Sequence, residues 1–542
     1  MPMKDNTRYV IACIIMLLVA FIQCYKTVHD LHWASEPDFD RDIAYIRGTL
    51  TGHYGQDPSM LGQYMWYNPI IFLSETLFVK LLGWPINVVV ARCGAFLNLI
   101  NPIVFFIVLV KLFDYKIALS SLLCFVFLIA GNLPCWGAAT YSPWMVSDTA
   151  TQWLFYLSVL CCYKAFDSQK MGWFIALGAV MGVAFLGHSA PVFIMVMILI
   201  IMQGQKVLRA LQDKHYNLVG TYFLQGAATV IPFIIFAFPM LYYVYGKYHL
   251  HFVNRIILEC APGIFARKET FTLLKLNVTF SLIISIIGFI WSYKNFKNPV
   301  LRKLLWCWLG VTLLMYIYES AVPTVDKIIH FNLPDTIPAF HYFFYFKALQ
   351  SIFFGFGFIY LFNLLVQWLS KRSKKEFSPV FANNFFVFAI LLYMLVYLPI
   401  YCNRWDFSDL RQEALNKEKE TDKIDVYNYI VKNVPLDNVL LCPHGLSLFP
   451  VMPTGIKMVS VETYFSNPYV SYDQREADRV KMLSFLTSST PDTAKNMFSA
   501  YKVGDVLLAN PDYKYYRQPS FASSSVIFKN NSYTLLSFDI RK

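Results

Sequence analysis

The chain has 542 residues, of which 57% are apolar and 15% charged, and its mean hydropathy is +0.46. A soluble globular protein has about 45–50% apolar and about 25% charged residues, so the excess belongs in lipid; 48 Phe and 35 Tyr also exclude disorder, a collagen-like fibre and a small disulfide scaffold. The net charge of +12 sits in short basic segments between apolar runs, such as Lys294, Lys297, Arg302, Lys303 and Lys371, Arg372, Lys374, Lys375. That pattern orients a membrane protein and argues against a nucleic-acid partner.

Crossing the hydrocarbon core takes about 20 mostly apolar residues. Eleven candidate runs occur, over residues 8–28, 86–110, 117–133, 148–163, 172–187, 189–203, 218–245, 272–292, 303–320, 340–369 and 380–401. The fifth and sixth are short and meet at the corner Gly187-His188-Ser189. Residues 69–84, which carry Glu75 and Lys80, read as a helix lying at the interface, with a span as the alternative. The first run is long and lacks a small-residue cleavage site, so it is expected to be a retained helix. The cysteines mostly lie inside apolar runs without metal-ligand spacing and read as small buried hydrophobes.

Basic residues stay on the cytoplasmic side. With the N-terminus inside, the short cytoplasmic segments hold Lys4, Arg8, Lys111, Lys116, Lys164, Lys170, Lys206, Arg209, Lys214 and the two clusters above. Loops 29–85, 134–147, 246–271 and 321–339 then lie outside, as does everything after residue 401. The expected fold is a polytopic α-helical membrane protein of about 11 transmembrane helices over residues 1–401, with a soluble extracytoplasmic α/β domain over 402–542. In that tail, 424–432 and 473–486 read as helices, and 438–442, 457–461, 505–509 and 532–538 as short strands. No internal repeat of the kind found in many transporters is evident.

The first external loop is the richest in chemistry. Glu36, Asp38, Asp40 and Asp42 put four carboxylates within seven residues, directly after a span and around Arg41. Crowded carboxylates have raised pKa values suited to proton abstraction, with or without a divalent cation on their oxygens. The competing reading is a solvated acidic loop that caps a helix over 41–48. Asp57 and Tyr67-Asn68-Pro69 follow; the second external loop brings Trp136, Trp144 and Asp148 to the mouth of a span. Asp148 either caps its helix or completes a carboxylate pair with the first loop, making Asp40 and Asp148 candidate ligands for Mg or Mn. The tryptophans read first as interfacial belt residues and second as sugar-stacking platforms. Cations on the external side or at span mouths are His188, His249, His251, Arg255, Arg267, Lys268, His330, His341 and Lys347. Lys347, two turns into an apolar helix, either snorkels or meets a lipid-linked phosphate. His188 reads as a core or interface histidine before it reads as a ligand. Neither G-x-x-x-x-G-K-[ST] nor G-x-G-x-x-G occurs, so no soluble-nucleotide loop is expected.

This order of parts resembles the GT-C superfamily of membrane glycosyltransferases, in which an acidic motif follows the first span and a second acid lies in a later external loop. Asp38, Asp40 and Asp42 match the first position, and Asp148 the second. Within the superfamily, Asp38, Arg41, Asp57 and Tyr67-Asn68-Pro69, together with Tyr464-Phe465-Ser466-Asn467-Pro468-Tyr469 and Tyr472-Asp473-Gln474-Arg475, resemble the arabinofuranosyltransferases that prime arabinan on galactan. The resemblance implies an inverting transfer of arabinofuranose from a polyprenyl-phosphate donor to a cell-envelope glycan or surface protein, outside a bacterial cytoplasmic membrane. It assigns catalysis to Asp38, Asp40 and Asp42, with Asp38 or Asp40 as base. Donor phosphate binding falls to Lys347, His341, Arg255, Arg267 and Lys268, and acceptor or sugar binding to Arg41, Asp57, Tyr67, Trp144 and Arg475. The alternatives from other classes are a lipid-linked-glycan flippase without chemistry and an assembly protein whose external domain is its working part.

Overall fold

In the computed structural model, which describes residues 3–35, 37–128, 140–253, 272–329, 337, 339–487 and 494–540, helices dominate. Seven are long and apolar enough to cross a membrane: Asn6–Val28, Ile86–Leu112, Ser189–Gln212, Tyr216–Lys247, Pro299–Tyr318, Phe340–Ser373 and the apolar part of Pro379–Glu418. Each falls on a run expected from the sequence. The other four expected spans are helical over Tyr115–Leu128, where the described residues stop, and over the shorter Gln152–Ser168, Met171–Gly187 and Phe280–Asn295. Local punctuation sets some of their ends. The Asp114 carboxylate caps the start of the first by accepting from Ile117 N at 2.9 Å, and Gln169, at φ 57°, ends the second in the left-handed region.

The chain divides into two compact units. The first comprises residues 1–29, 94–238 and 261–409 and holds most of the apolar helices. Lipid supplies no hydrophobic drive between helices, so close van der Waals contact must hold them, and small residues permit it. Gly288 on Phe280–Asn295 and Gly357 on Phe340–Ser373 face each other so closely that a Cβ on either would strike the partner helix's backbone. A buried polar network fixes the segment leading to Asp148. Asn98 Nδ2 donates to Ser142 O at 2.9 Å and Trp144 O at 2.8 Å, and Tyr141 OH donates to Ala95 O at 2.6 Å. Arg404 holds Asp406 at 2.9 and 2.6 Å, and that carboxylate accepts from Ser142 Oγ at 2.9 Å.

The second unit comprises residues 30–93, 239–260 and 410–542. Its five-stranded sheet has the order β2-β1-β3-β5-β4, with β1 Val439–Leu441, β2 Lys457–Met458, β3 Val503–Ala509, β4 Ala522–Lys529 and β5 Tyr533–Ile540. β1 pairs parallel with β2 and β3, while β5 pairs antiparallel with β3 and β4. Strand periodicity of two sends alternate side chains to opposite faces. Leu440, Leu507 and Leu535 join one core with Val426 and Ile430 of the Thr421–Asn433 helix. Val439, Leu441, Val506 and Leu536 join the other with Met482 and Phe498 of the Tyr472–Phe485 and Ala494–Tyr501 helices.

The segment 29–85 is largely helical, in Pro37–Leu50 and Ile70–Leu82. The expectation of a helix over 41–48 is corrected: it starts at Pro37, since proline is pre-set for the first helical turn and lacks only an N–H that would have no partner there. Asp38 and Asp40 therefore sit in the first turn, where the positive end of the helix dipole favours carboxylates. Gly83, at φ 68°, terminates Ile70–Leu82 after 13 residues, too few to cross the bilayer.

Candidate active site

The three aspartates of Pro37–Leu50 occupy three different environments. Asp38 keeps 39% of its side chain exposed and pairs with Arg41 Nη1 at 2.6 Å. Asp40 is buried, with Lys417 Nζ at 2.7 and 2.8 Å from its two oxygens. Asp42 is buried behind Arg41, whose Nε and Nη2 approach its Oδ1 at 3.3 Å each. Burial pushes Asp40 up, with Lys417 pulling it back, and pushes Asp42 up to about 7 against the pull of Arg41. Only Asp38 is thus a carboxylate that solvent or a substrate hydroxyl can reach.

Arg41 is the hub of this end of the helix. Its guanidinium carbon lies 3.4 Å from the Tyr67 ring centroid and 5.9 Å from that of Phe465. It is almost fully buried, yet Tyr67, Asp38 and Asp42 outweigh desolvation and keep it charged. Beside it, Glu75 is fully buried; Oε1 accepts from Cys93 Sγ at 3.3 Å, and Oε2 has no hydrogen-bond partner among the described residues. Burial, reinforced by the charge of Asp42, holds Glu75 well above the ordinary carboxylate value.

Asp57 and the second short motif meet. The Asp57 Oδ1 accepts from Ser59 N at 2.8 Å and Met60 N at 3.0 Å, and its Oδ2 accepts from Asn467 Nδ2 at 2.8 Å. Asn467 also donates to Tyr248 OH at 3.0 Å, and the Tyr248 and Tyr469 rings stack at 4.4 Å. Both acid oxygens are spent on structure. Arg475 Nη1 donates to Val459 O at 3.0 Å and its guanidinium lies 5.4 Å from the Tyr501 ring.

In the first unit, Asp148 meets two histidines. Its Oδ1 lies 2.9 Å from His188 Nε2 and 3.4 Å from His341 Nε2, and the imidazole rings stack at 4.8 Å and 18°. The three donor atoms lie within 4.8 Å of one another, the one group of its kind among the described residues with the geometry to hold a metal ion. Asp40 instead belongs to the second unit, paired with Lys417. Trp144 is buried, its Nε1 donating to Asp406 O at 2.6 Å, so its indole is core and leaves no face for a sugar. Lys347 is fully buried on Phe340–Ser373, with Nζ 5.5 Å from the Phe343 ring. Arg255, Arg267, Lys268, His330, Glu36 and Trp136 lie outside the described residues.

Sequence reasoning missed Lys417 as the partner of Asp40, Glu75 as a buried acid and His188 as a partner of Asp148. An amphipathic pattern over 405–418 that turns Lys417 inward was the available signal for the first; the others carry none in linear sequence.

Over nearly its whole length the chain shares its fold with membrane glycosyltransferases of the GT-C superfamily. It is similar to ArnT from Cupriavidus metallidurans, solved with undecaprenyl phosphate, at a TM-score of 0.55 and 12% identity over 97% of both chains. It is also similar to the oligosaccharyltransferase AglB from Archaeoglobus fulgidus, solved with an inhibitory peptide and a dolichol-phosphate (TM-score 0.52, 12% identity, 92% of this chain and 69% of that one). The arabinofuranosyltransferase AftD from Mycobacteria matches 98% of this chain at a TM-score of 0.52 and 10% identity, but the match spans only 40% of AftD. No protein-family profile matches the chain, and no curated protein matches its sequence at a significant level.

Proposed function

We propose that the protein is an inverting glycosyltransferase that moves a sugar, with arabinofuranose the first choice, from a polyprenyl-phosphate donor to a cell-envelope glycan or surface protein. The observation that carries this reading is the exposed Asp38 carboxylate at the first turn of Pro37–Leu50, 2.6 Å from Arg41, in a chain of GT-C fold. Solved proteins of similar fold hold undecaprenyl phosphate or dolichol-phosphate, which supports a lipid-linked donor here. We assign the work to the outer side of a bacterial cytoplasmic membrane, with about eleven spans over 1–401 and 402–542 as an extracytoplasmic domain.

Asp38 takes the proton of the acceptor hydroxyl, and that oxygen attacks the anomeric carbon from the face opposite the phosphate. The bond from carbon to phosphate oxygen breaks, its electron pair leaves with polyprenyl phosphate, and the configuration inverts. Arg41 holds Asp38 in place through the 2.6 Å ion pair. Lys347, His341 or an Arg of the 246–271 loop is assigned to the charge that develops on the leaving phosphate.

The test is transfer by the purified chain in lipid, with labelled polyprenyl-phosphate pentose and hexose donors. Transfer from one donor class is expected to fall by orders of magnitude in Asp38→Asn, with folding unchanged. Transfer that survives this substitution removes Asp38 as the base, and a wild type inactive with every donor and a broad acceptor panel favours the flippase.

A further inference from the structure

We propose that Asp148, His188 and His341 form a binding site for one divalent transition-metal ion of the zinc class. The inference goes beyond sugar transfer and does not depend on it. The three residues come from separate helix starts: Asp148 in Ser147–Ala150, His188 as the residue before Ser189–Gln212, and His341 as the second residue of Phe340–Ser373. Nearly two hundred positions separate the outer two in sequence, yet the fold brings both Nε2 atoms onto one carboxylate oxygen, at 2.9 and 3.4 Å.

A tetrahedral ion bound at about 2.0–2.2 Å separates its donors by about 3.3–3.5 Å. The His341–Asp148 separation of 3.4 Å falls in that range, the His188–Asp148 separation of 2.9 Å lies just below it, and all three donor atoms lie within 4.8 Å of one another. Two imidazoles and one carboxylate are the donors of zinc, cobalt, nickel and ferrous iron; magnesium and calcium prefer oxygen throughout. Three protein ligands leave a further coordination position open. With side chains only 12–16% exposed, the three residues are largely shielded from solvent but not sealed from it. His188 Nδ1 accepts from Ala190 N at 3.2 Å, a hydrogen bond that ligation through Nε2 would break, because the ring proton would then sit on Nδ1.

The experiment uses full-length protein in detergent, stripped with a chelator and titrated with Zn2+ or Co2+ against an excess of Mg2+. One equivalent is expected to bind, and Co2+ should show the visible d–d absorption of a low-symmetry nitrogen and oxygen site. His341→Ala and Asp148→Asn should weaken binding by at least the roughly tenfold that losing even an outer-sphere partner costs. His341→Cys should retain Co2+ and add a sulfur-to-cobalt charge-transfer band, which a merely folded variant without a site there would lack. Absence of a stoichiometric equivalent in wild type, equal binding in His341→Ala, or no charge-transfer band in His341→Cys overturns the site and leaves a plain hydrogen-bonded cluster.

Discussion

Asp38, Asp40 and Asp42 lie within five residues of one helix, yet burial and partners give them different work. Asp38→Asn removes an exposed carboxylate and should leave the melting temperature within about a degree, since exposed ion pairs contribute about 0–1 kcal/mol, while transfer is lost. Asp40→Asn leaves the Lys417 ammonium without its counter-charge in a buried pocket and should cost about 3 kcal/mol in denaturant unfolding. Equal stability of the two variants would contradict this division. For Asp42 the pH sign is clear. Its carboxyl titrates near 4 when unfolded and at about 7 when folded, so between those values the folded state holds one more proton than the unfolded state. Its contribution to stability is present below pH 4 and is lost as pH rises to 7, by on the order of a few kcal/mol. Asp42→Asn should flatten that slope in unfolding measured from pH 5 to pH 8; an unchanged slope would assign it elsewhere.

At the scale of elements, the apolar helices were legible because hydropathy over about 20 residues integrates many side chains and outvotes any one of them. Ends were less so. The Pro37 start was missed because the four acids suggested a loop, although proline at a first helical position was the better signal. β4, Ala522–Lys529, was not expected: its Ser523-Ser524-Ser525 run looks like a turn, and only its position as an edge strand against β5 makes it regular. The Gly288 and Gly357 contact was equally invisible, because a glycine in an apolar helix does not say which helix it faces. Valine at Gly357 would put a branched side chain against the backbone of Ile284 and Gly288, so Gly357→Val should lower detergent stability sharply. Gly310→Val, which meets nothing within reach, should not. Similar losses in both would mean that the close approach does not hold the pair together.

At the scale of the molecule, the candidate sites were only half legible, for a physical reason. A cluster such as Glu36 to Asp42 is local in sequence and announces itself; the trio of Asp148, His188 and His341 exists only after three helix starts converge. Its members appeared apart, as a cap or a metal ligand paired with Asp40, a core histidine and a phosphate contact. Charge asymmetry is the opposite case, a sum over whole loops, and it makes the topology testable without reference to any site. Lys371, Arg372, Lys374 and Lys375 end Phe340–Ser373 on the side the positive-inside rule makes cytoplasmic. On the proposed topology the apolar run of Pro379–Cys402 crosses once more and carries 402–542 to the outside. Alkaline phosphatase fused after Lys542 should therefore be active, and the same enzyme fused after Lys374 should not be. A cysteine replacing Ser373 should label with a membrane-impermeant maleimide only after the cells are permeabilised. If the Lys542 fusion is inactive and that cysteine labels on intact cells, the chain is inverted. Asp38 would then face the cytoplasm, and an extracytoplasmic lipid-linked donor would no longer reach it.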